Sequence, residues 1–215
     1  MILDALEPWL PDGNYLLSSD CHGNTSTLLT YLIQKYLKQK STVTVLHHVG
    51  ISSVHHHNTL LAKCGVNVNE VKESGLLKFS ELVCPLDSPP DLTNIPASVE
   101  ANDKGVIVFT DIHLLLGLGC QLKDVVMLVQ RLLRNDMVVI VTSRESPETK
   151  QLNTYLESLL GNFVSLDTLD SGASAEVDGH VKRRTRGEFS TALYKGFKGV
   201  EGFKVFPLGT APGTV

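Results

Sequence analysis

The sequence lacks the features that mark several large protein classes. Its four cysteines are scattered, and neither a CxxC pair nor the short spacing of a metal or disulfide framework occurs among Cys21, Cys64, Cys84 and Cys120. No apolar run approaches the ~20 residues that span a bilayer, and the N-terminus carries acids where a signal peptide would carry basic residues. We therefore expect a soluble protein with reduced, mostly buried thiols, located in the cytoplasm or the nucleus.

Charge of either sign is also modest. The 19 lysines and arginines and 23 aspartates and glutamates leave a net charge of -4, so nucleic-acid binding would require a local basic patch. The 215 residues, 42% hydrophobic and 20% charged, have the size and composition of a globular domain with one core. We expect one domain over residues 1–215, with an N-terminal extension at 1–14, a surface loop at 85–103 and a flexible basic loop at 171–190.

Short apolar runs alternate with amphipathic helical patterns from Tyr15 to Leu169. The apolar runs are typical of buried parallel strands, and the segments between them repeat apolar residues at helical spacing. Beyond this region, residues 192–206 have the pattern of a C-terminal β-hairpin that turns at 199–202. The expected strands are 15–17, 42–46, 106–109, 137–142 and 163–169, and the expected helices are 27–37, 53–64, 121–134 and a segment opened by Pro147. This order predicts an α/β fold with a mostly parallel central sheet flanked by helices.

The turn between the first strand and the first helix has the frame of a phosphate-binding loop. That loop needs a glycine, four residues and then Gly-Lys-Ser/Thr, because backbone N–H groups wrap the phosphates while the lysine neutralises them. Gly23 and Thr25 are correctly placed in this frame. Ser18, however, replaces the first glycine, Asn24 replaces the lysine, and Asp20 adds negative charge. The nucleotide motif is therefore degenerate, unless turn and helix-capping preferences alone account for these residues.

The other positions of an ATP-hydrolysing site fit the same interpretation. Asp111 follows the apolar run 106–109, where a Mg²⁺-orienting carboxylate would stand, although an aspartate at a strand end is also a common helix cap. The glutamate that would polarise water after the next strand is missing, because His47 and His48 occupy that position. We therefore predict a P-loop-type fold that is not an enzyme, and we assign no catalytic residue, cofactor-binding residue or cofactor.

A group of histidines raises the question of a metal site. His55, His56 and His57 follow His47 and His48 closely in the sequence. Adjacent histidines on a helix point in different directions, and no i, i+4 pair with a carboxylate accompanies them. We therefore expect these side chains to be solvated or packed, and we assign no metal.

One local basic patch occurs near the C-terminus. Lys182, Arg183, Arg184 and Arg186 place four cations within five positions, on a segment that the pattern predicts to be a loop beside the hairpin. Such a cluster can follow a phosphate backbone with salt-sensitive affinity, so these four residues are the candidates for RNA binding. The alternative is a solvated basic turn or a contact to an acidic protein surface. The neighbouring cations on the hairpin are Lys195, Lys198 and Lys204.

Several of these segments together resemble one family. They are the degenerate loop, the stretch 105–119 with Asp-Ile-His-Leu-Leu-Leu-Gly-Leu-Gly, the strand 137–142, the turn 176–179 and the tail after Tyr194. In this order the sequence resembles subunit six of the Elongator complex. The resemblance implies a RecA-type domain without working nucleotide motifs, which assembles with Elongator subunits four and five into a hetero-hexameric ring with two copies of each. It also implies that the ring binds tRNA and supports wobble-uridine modification by the Elongator catalytic core. The basic RNA-contacting loops of the family line the ring centre, and residues 182–184 with Arg186 are the candidate match.

The resemblance predicts a specific function and leaves two alternatives. The expected function is a non-catalytic scaffold subunit that presents tRNA to the modifying machinery. The first alternative is a P-loop-like ATPase that binds nucleotide with an unusual loop, which a nucleotide-induced thermal shift would reveal. The second alternative is a degenerate RecA-like recombination paralogue that acts on DNA, which would co-purify with recombinases instead of Elongator subunits.

Overall fold

The computed structural model describes residues 4–20, 25–48, 54–82, 88–93, 95, 105–134, 137–169, 177–185, 188–196 and 203–208. A 3₁₀ helix, Asp4–Trp9, precedes the first strand. The strands are β1 (Tyr15–Ser19), β2 (Val43–His48), β3 (Leu77–Leu82), β4 (Val106–Phe109), β5 (Val138–Arg144), β6 (Asn162–Thr168), β7 (Gly179–Thr185), β8 (Glu188–Gly196) and β9 (Phe203–Pro207). The α-helices are α1 (Ser26–Lys38), α2 (Val54–Lys63), α3 (Val68–Glu73), α4 (Leu114–Gly117), α5 (Leu122–Arg134) and α6 (Lys150–Leu160).

All of these strands belong to one sheet with the order β3-β2-β4-β5-β1-β6-β7-β8-β9. The six strands from β3 to β6 in this order run parallel, and β7, β8 and β9 continue the sheet in antiparallel pairs. The predicted mostly parallel α/β sheet is therefore confirmed. The predicted C-terminal hairpin corresponds to the antiparallel pair β8 and β9, although β8 begins at Glu188 and its turn lies outside the described residues.

Helices cover both faces of the parallel strands, which explains why the strands are apolar on both sides. All five residues of β1 and all four residues of β4 are buried. Leu17 packs with Leu32 of α1 in the first core cluster, whereas the adjacent Leu16 packs with Leu128 of α5 in the second. Because successive strand side chains point to opposite faces, the sheet separates the two clusters.

Two segments predicted to lie outside the core contribute to it. Within the predicted extension at 1–14, Leu6 and Leu10 are fully buried in the first core cluster. Within the predicted surface loop at 85–103, Leu92 and Ile95 are buried in the second cluster, while 85–87, 94 and 96–103 lie outside the described residues and Gly105 begins the next described segment. Leu92 and Ile95 are single apolar residues among proline, aspartate, threonine and asparagine and show no periodicity, so the sequence pattern did not reveal them.

The predicted flexible loop at 171–190 is wrong for its central part, because residues 179–185 form strand β7. This strand is paired on both sides, with Ser165 of β6 opposite Lys182 and Ala192 of β8 opposite Val181. Hydrogen bonding from two neighbours holds a polar sequence in extended form even though its own strand propensity is low.

In the part of the chain that the structure describes, no helix is long and apolar enough to cross a membrane.

Candidate functional site

The carboxyl ends of β1, β4 and β5 meet at one edge of the parallel sheet. Ser18 of β1 is in register with Ser143 of β5, and Phe109 of β4 is in register with Val141 of β5. In open α/β sheets, ligands bind outside this edge, where connections from neighbouring strands leave toward opposite faces. The residues predicted from the degenerate loop and from the end of the β4 strand therefore belong to one candidate site, which we call the carboxyl edge.

The side chains at the end of β1 make hydrogen bonds to neighbouring strands. Ser18 is fully buried, and its Oγ donates to Glu145 Oε1 at 2.6 Å. Asp20 Oδ2 accepts hydrogen bonds from Thr168 N at 2.7 Å and from Thr168 Oγ1 at 2.6 Å. These contacts tie β1 to the end of β5 on one side and to β6 on the other. Residues 21–24, which include Gly23 and Asn24 of the degenerate loop, lie outside the described residues.

Asp111 lies in the turn that follows β4, at the position that the sequence predicted for a carboxylate. Its φ of 53° is left-handed, a conformation that aspartate tolerates better than most side chains. Its N–H donates to Thr142 Oγ1 at 2.7 Å, and the N–H of Ile112 donates to the Thr142 carbonyl at 2.9 Å. Thr142, which the sequence pattern did not single out, therefore fixes the backbone that carries Asp111.

The carboxyl edge is acidic. Asp20, Asp111 and Glu145 place three carboxylates at the ends of three neighbouring strands, and Arg144 supplies a cation at the same edge. Phosphates of a nucleotide approaching this edge would meet like charge, which is unfavourable unless cations intervene. Glu145 was not predicted as a site residue. The sequence shows Glu145 as a carboxylate that follows an apolar strand. Only the strand order, with β5 beside β1, brings Glu145 next to Ser18.

Three histidines lie buried beside this edge. His47 is 3% exposed, His48 is 1% exposed and His57 is 5% exposed, and among the described residues no partner bonds either ring nitrogen of His47 or Nδ1 of His57. Phe79 packs near the rings of His47 and His57, with centroid distances of 6.4 and 6.5 Å. Burial lowers the pKa of His48, and it lowers the pKa of His57 to about 4, so both rings are neutral at pH 7.

The histidine run on α2 has one packed member and two exposed members. His57 is packed, whereas His55 and His56 are exposed on α2. No group of three histidine, cysteine, aspartate or glutamate side chains in the described segments has the geometry to hold a metal ion.

His113 joins the turn after β4 to the end of β5. Its Nδ1 accepts a hydrogen bond from the Arg144 N–H at 3.2 Å, which requires a neutral ring with the proton on Nε2. Burial lowers the pKa of His113, and the Asp111 carboxylate opposes this effect. The His113 side chain therefore accepts a hydrogen bond from the backbone at the end of β5. The sequence pattern included it in the Asp-Ile-His segment without giving it a role.

Solved structures with the same architecture show the fold. The flagellar accessory protein FlaH from Methanocaldococcus jannaschii superposes with a TM-score of 0.68 at 13% identity, covering 90% of this chain and 88% of that one. A KaiC-like protein from Pyrococcus horikoshii superposes with a TM-score of 0.63 at 13% identity, covering 91% and 89%. The fold is RecA-like. At this identity the likeness shows the fold alone, and no protein-family model and no curated protein matches the sequence.

Lys182, Arg183 and Arg184, three of the four residues predicted to bind RNA, lie on strand β7 and away from the carboxyl edge. Lys182 Nζ lies 2.5 Å from Asp167 Oδ2, Arg184 pairs with Glu157 of α6, and the Arg183 guanidinium carbon is 6.0 Å from the Trp9 ring centroid. Because strand residues alternate, Arg183 points to the face opposite the other two. The prediction of one basic loop is therefore wrong for residues 182–184, which form two differently directed groups. Arg186 lies outside the described residues.

Proposed function

We propose that this chain is a non-catalytic RecA-like scaffold subunit that assembles with partner subunits into a ring and presents tRNA for wobble-uridine modification. The sequence resemblance to Elongator subunit six supplies the specific assembly, with subunits four and five as partners. The single observation that supports a loss of catalysis is that the side chains of Ser18 and Asp20 are hydrogen-bonded to neighbouring strands. In this arrangement the start of the loop is acidic and internally bonded.

The charge of the carboxyl edge also supports a scaffold over an ATPase. A nucleotide site needs cations or a coordinated Mg²⁺ to balance the phosphates. Here Asn24 stands where the lysine would be, and Glu145 adds a carboxylate next to β1. A carboxyl edge that does not bind nucleotide can take part in side-by-side packing of subunits, for which stable interfaces bury about 1,000 Å² or more.

Co-purification with candidate Elongator subunits four and five tests the assembly. We expect the total mass of the complex, measured by light scattering, to equal two copies of each of the three subunits, which would support a closed ring. In parallel, Mg²⁺-ATP should leave the melting temperature of the chain unchanged, whereas ligand at about 100 times its Kd would stabilise the fold by ~2.7 kcal/mol. A chain that stays monomeric in the presence of both subunits and is stabilised by ATP would overturn the proposal and favour the ATPase alternative, with Asn24, Thr25 and Asp111 in the active site.

Binding of tRNA to the assembled complex tests the RNA component. Lys182→Ala and Arg186→Ala are expected to weaken tRNA binding and to reduce its dependence on salt, because each removes a cation that can contact phosphate. Lys63→Ala is the matched control, since Lys63 is an exposed cation in the last turn of α2. Equal effects of all three substitutions would indicate general electrostatic attraction and would contradict a localised RNA path.

A further inference from the structure

The antiparallel strands β7, β8 and β9 have one buried face and one accessible face. Val181, Ala192 and Tyr194 are buried in the first core cluster, so the residues that alternate with them lie on the opposite side. We name this opposite side the open strand face. It includes Lys182, Arg184, Phe189, Lys195, Lys204 and Phe206.

An exposed aromatic ring lies beside a guanidinium on the open strand face. Phe189 is 59% exposed and is directly opposite Arg184 in the strand register. The Arg184 guanidinium carbon lies 6.0 Å from the Phe189 ring centroid. Phenyl and guanidinium planes are both surfaces on which a nucleobase can stack, and any base can use them. Phe206, on β9, adds a second, half-buried ring to the same face.

Cations surround these rings. Lys182 and Arg184 have 42% and 53% of their side-chain surface exposed, in ion pairs with Asp167 and Glu157. The partner carboxylates are more covered, with 18% of the Asp167 side chain and 25% of the Glu157 side chain exposed, so a phosphate can approach the two cations from the solvent side while the ion pairs remain.

Two further lysines reinforce the positive charge of the open strand face. Lys195 and Lys204 are directly opposite each other in the register of β8 and β9, a like-charge arrangement that is unfavourable without an anion nearby. Asp178 Oδ1 lies 2.7 Å from Lys195 Nζ and offsets this repulsion.

We propose that the open strand face binds single-stranded RNA, with a base stacked on Phe189 and Arg184 and with phosphates near Lys182, Lys195 and Lys204. The inference rests on the RNA-binding part of the proposed function and deepens it, because it assigns an unpaired segment of the RNA to this face. A duplex is a poor ligand for such a surface, since its bases are already stacked within the helix and unavailable to the protein.

Fluorescence anisotropy of a labelled oligouridylate tests the proposal on the full chain and on its complex with the partner subunits. Phe189→Ala is expected to weaken binding about 5-fold to 100-fold, and Phe189→Tyr to retain it, because one stacking contact is removed or kept. The dependence of log affinity on log salt should keep its slope in Phe189→Ala. In Lys204→Ala this slope should fall by about 0.7, the value for one phosphate contact on a single strand. An RNA duplex of the same length should bind less tightly than the oligouridylate.

Tyr155→Ala is the matched control. Tyr155 is an aromatic residue of α6 that is 49% exposed, and it lies about 200° around the helix from Glu157, which faces Arg184. We expect this variant to bind oligouridylate like the wild type. Circular dichroism of each variant confirms that the fold is retained before affinities are compared.

The outcomes separate this inference from the proposed function. If the complex that carries Phe189→Ala binds tRNA and oligouridylate with wild-type affinity, RNA binding by the open strand face is refuted and the scaffold role is unaffected. A complex that binds no RNA would refute both. If Phe189→Ala leaves RNA affinity unchanged but loses the partner subunits on co-purification, the face is a protein interface and the inference is wrong.

Discussion

Acid is expected to destabilise the fold through His57. Burial, together with the nearby His56 and His47, lowers the pKa of His57 from 6.5 to about 4. Between these values the unfolded chain binds a proton that the folded chain does not. The stability associated with neutral His57 is therefore complete above pH 6.5 and is lost as the pH falls toward 4. From these two pKa values, the His57 contribution to the free energy of unfolding is about 2 kcal/mol lower at pH 5 than at pH 7.

Urea unfolding of the wild type and of His57→Phe, each at pH 7 and pH 5, measures this contribution. Phenylalanine is similar in size and does not titrate, so the variant should lose about 2 kcal/mol of pH dependence whatever its stability at pH 7. His55→Gln is the control, because His55 is exposed on the same helix and should leave the pH dependence as it is in the wild type. If the wild type and His57→Phe show the same change between the two pH values, the reasoning from burial is refuted.

Two further predictions concern contacts between strands of the sheet. Asp20→Ala is expected to lower the free energy of unfolding by roughly 1.5–3 kcal/mol in urea at pH 7, because it removes charged hydrogen bonds to Thr168; a variant as stable as the wild type would show that water replaces them. Gly179→Ala is expected to destabilise by ~3 kcal/mol or to prevent folding, because a Cβ there would lie 2.0 Å from the Asp167 carbonyl oxygen. Gly117→Ala, whose Cβ would meet no atom within 4 Å, should keep its melting temperature, and equal losses in the two glycine variants would contradict the packing argument.

Part of the carboxyl edge could be located from the sequence because its signals are local. Ser18 and Asp111 each end an apolar run, and such runs indicate where buried strands stop. Glu145 also follows an apolar strand, but its bond to Ser18 exists only because β5 lies beside β1. Hydrophobic periodicity identifies strands without giving their order, so this contact could not be predicted.

The basic segment 182–184 shows that local patterns can also miss a strand. A run of three cations after the single apolar residue Val181 has no alternating pattern that extends over a strand, and it was predicted to be a loop. Pairing with β6 and β8 makes it a strand and sends Arg183 to one face and Lys182 to the other. Long-range pairing overrides local preference in such segments, because the hydrogen bonds come from the neighbours.

The sequence by itself determined the alternation of strands and helices, the two-sided burial of the parallel strands and the replacement of the phosphate-loop lysine by Asn24. These follow from residue types and their spacing along the chain, which act locally. The tertiary structure alone decided which carboxylates share the edge of the sheet, and that Phe189 and Arg184 lie side by side on the open strand face. Such neighbours belong to different strands, and strand order and register, which the packing of the whole core sets, bring them together.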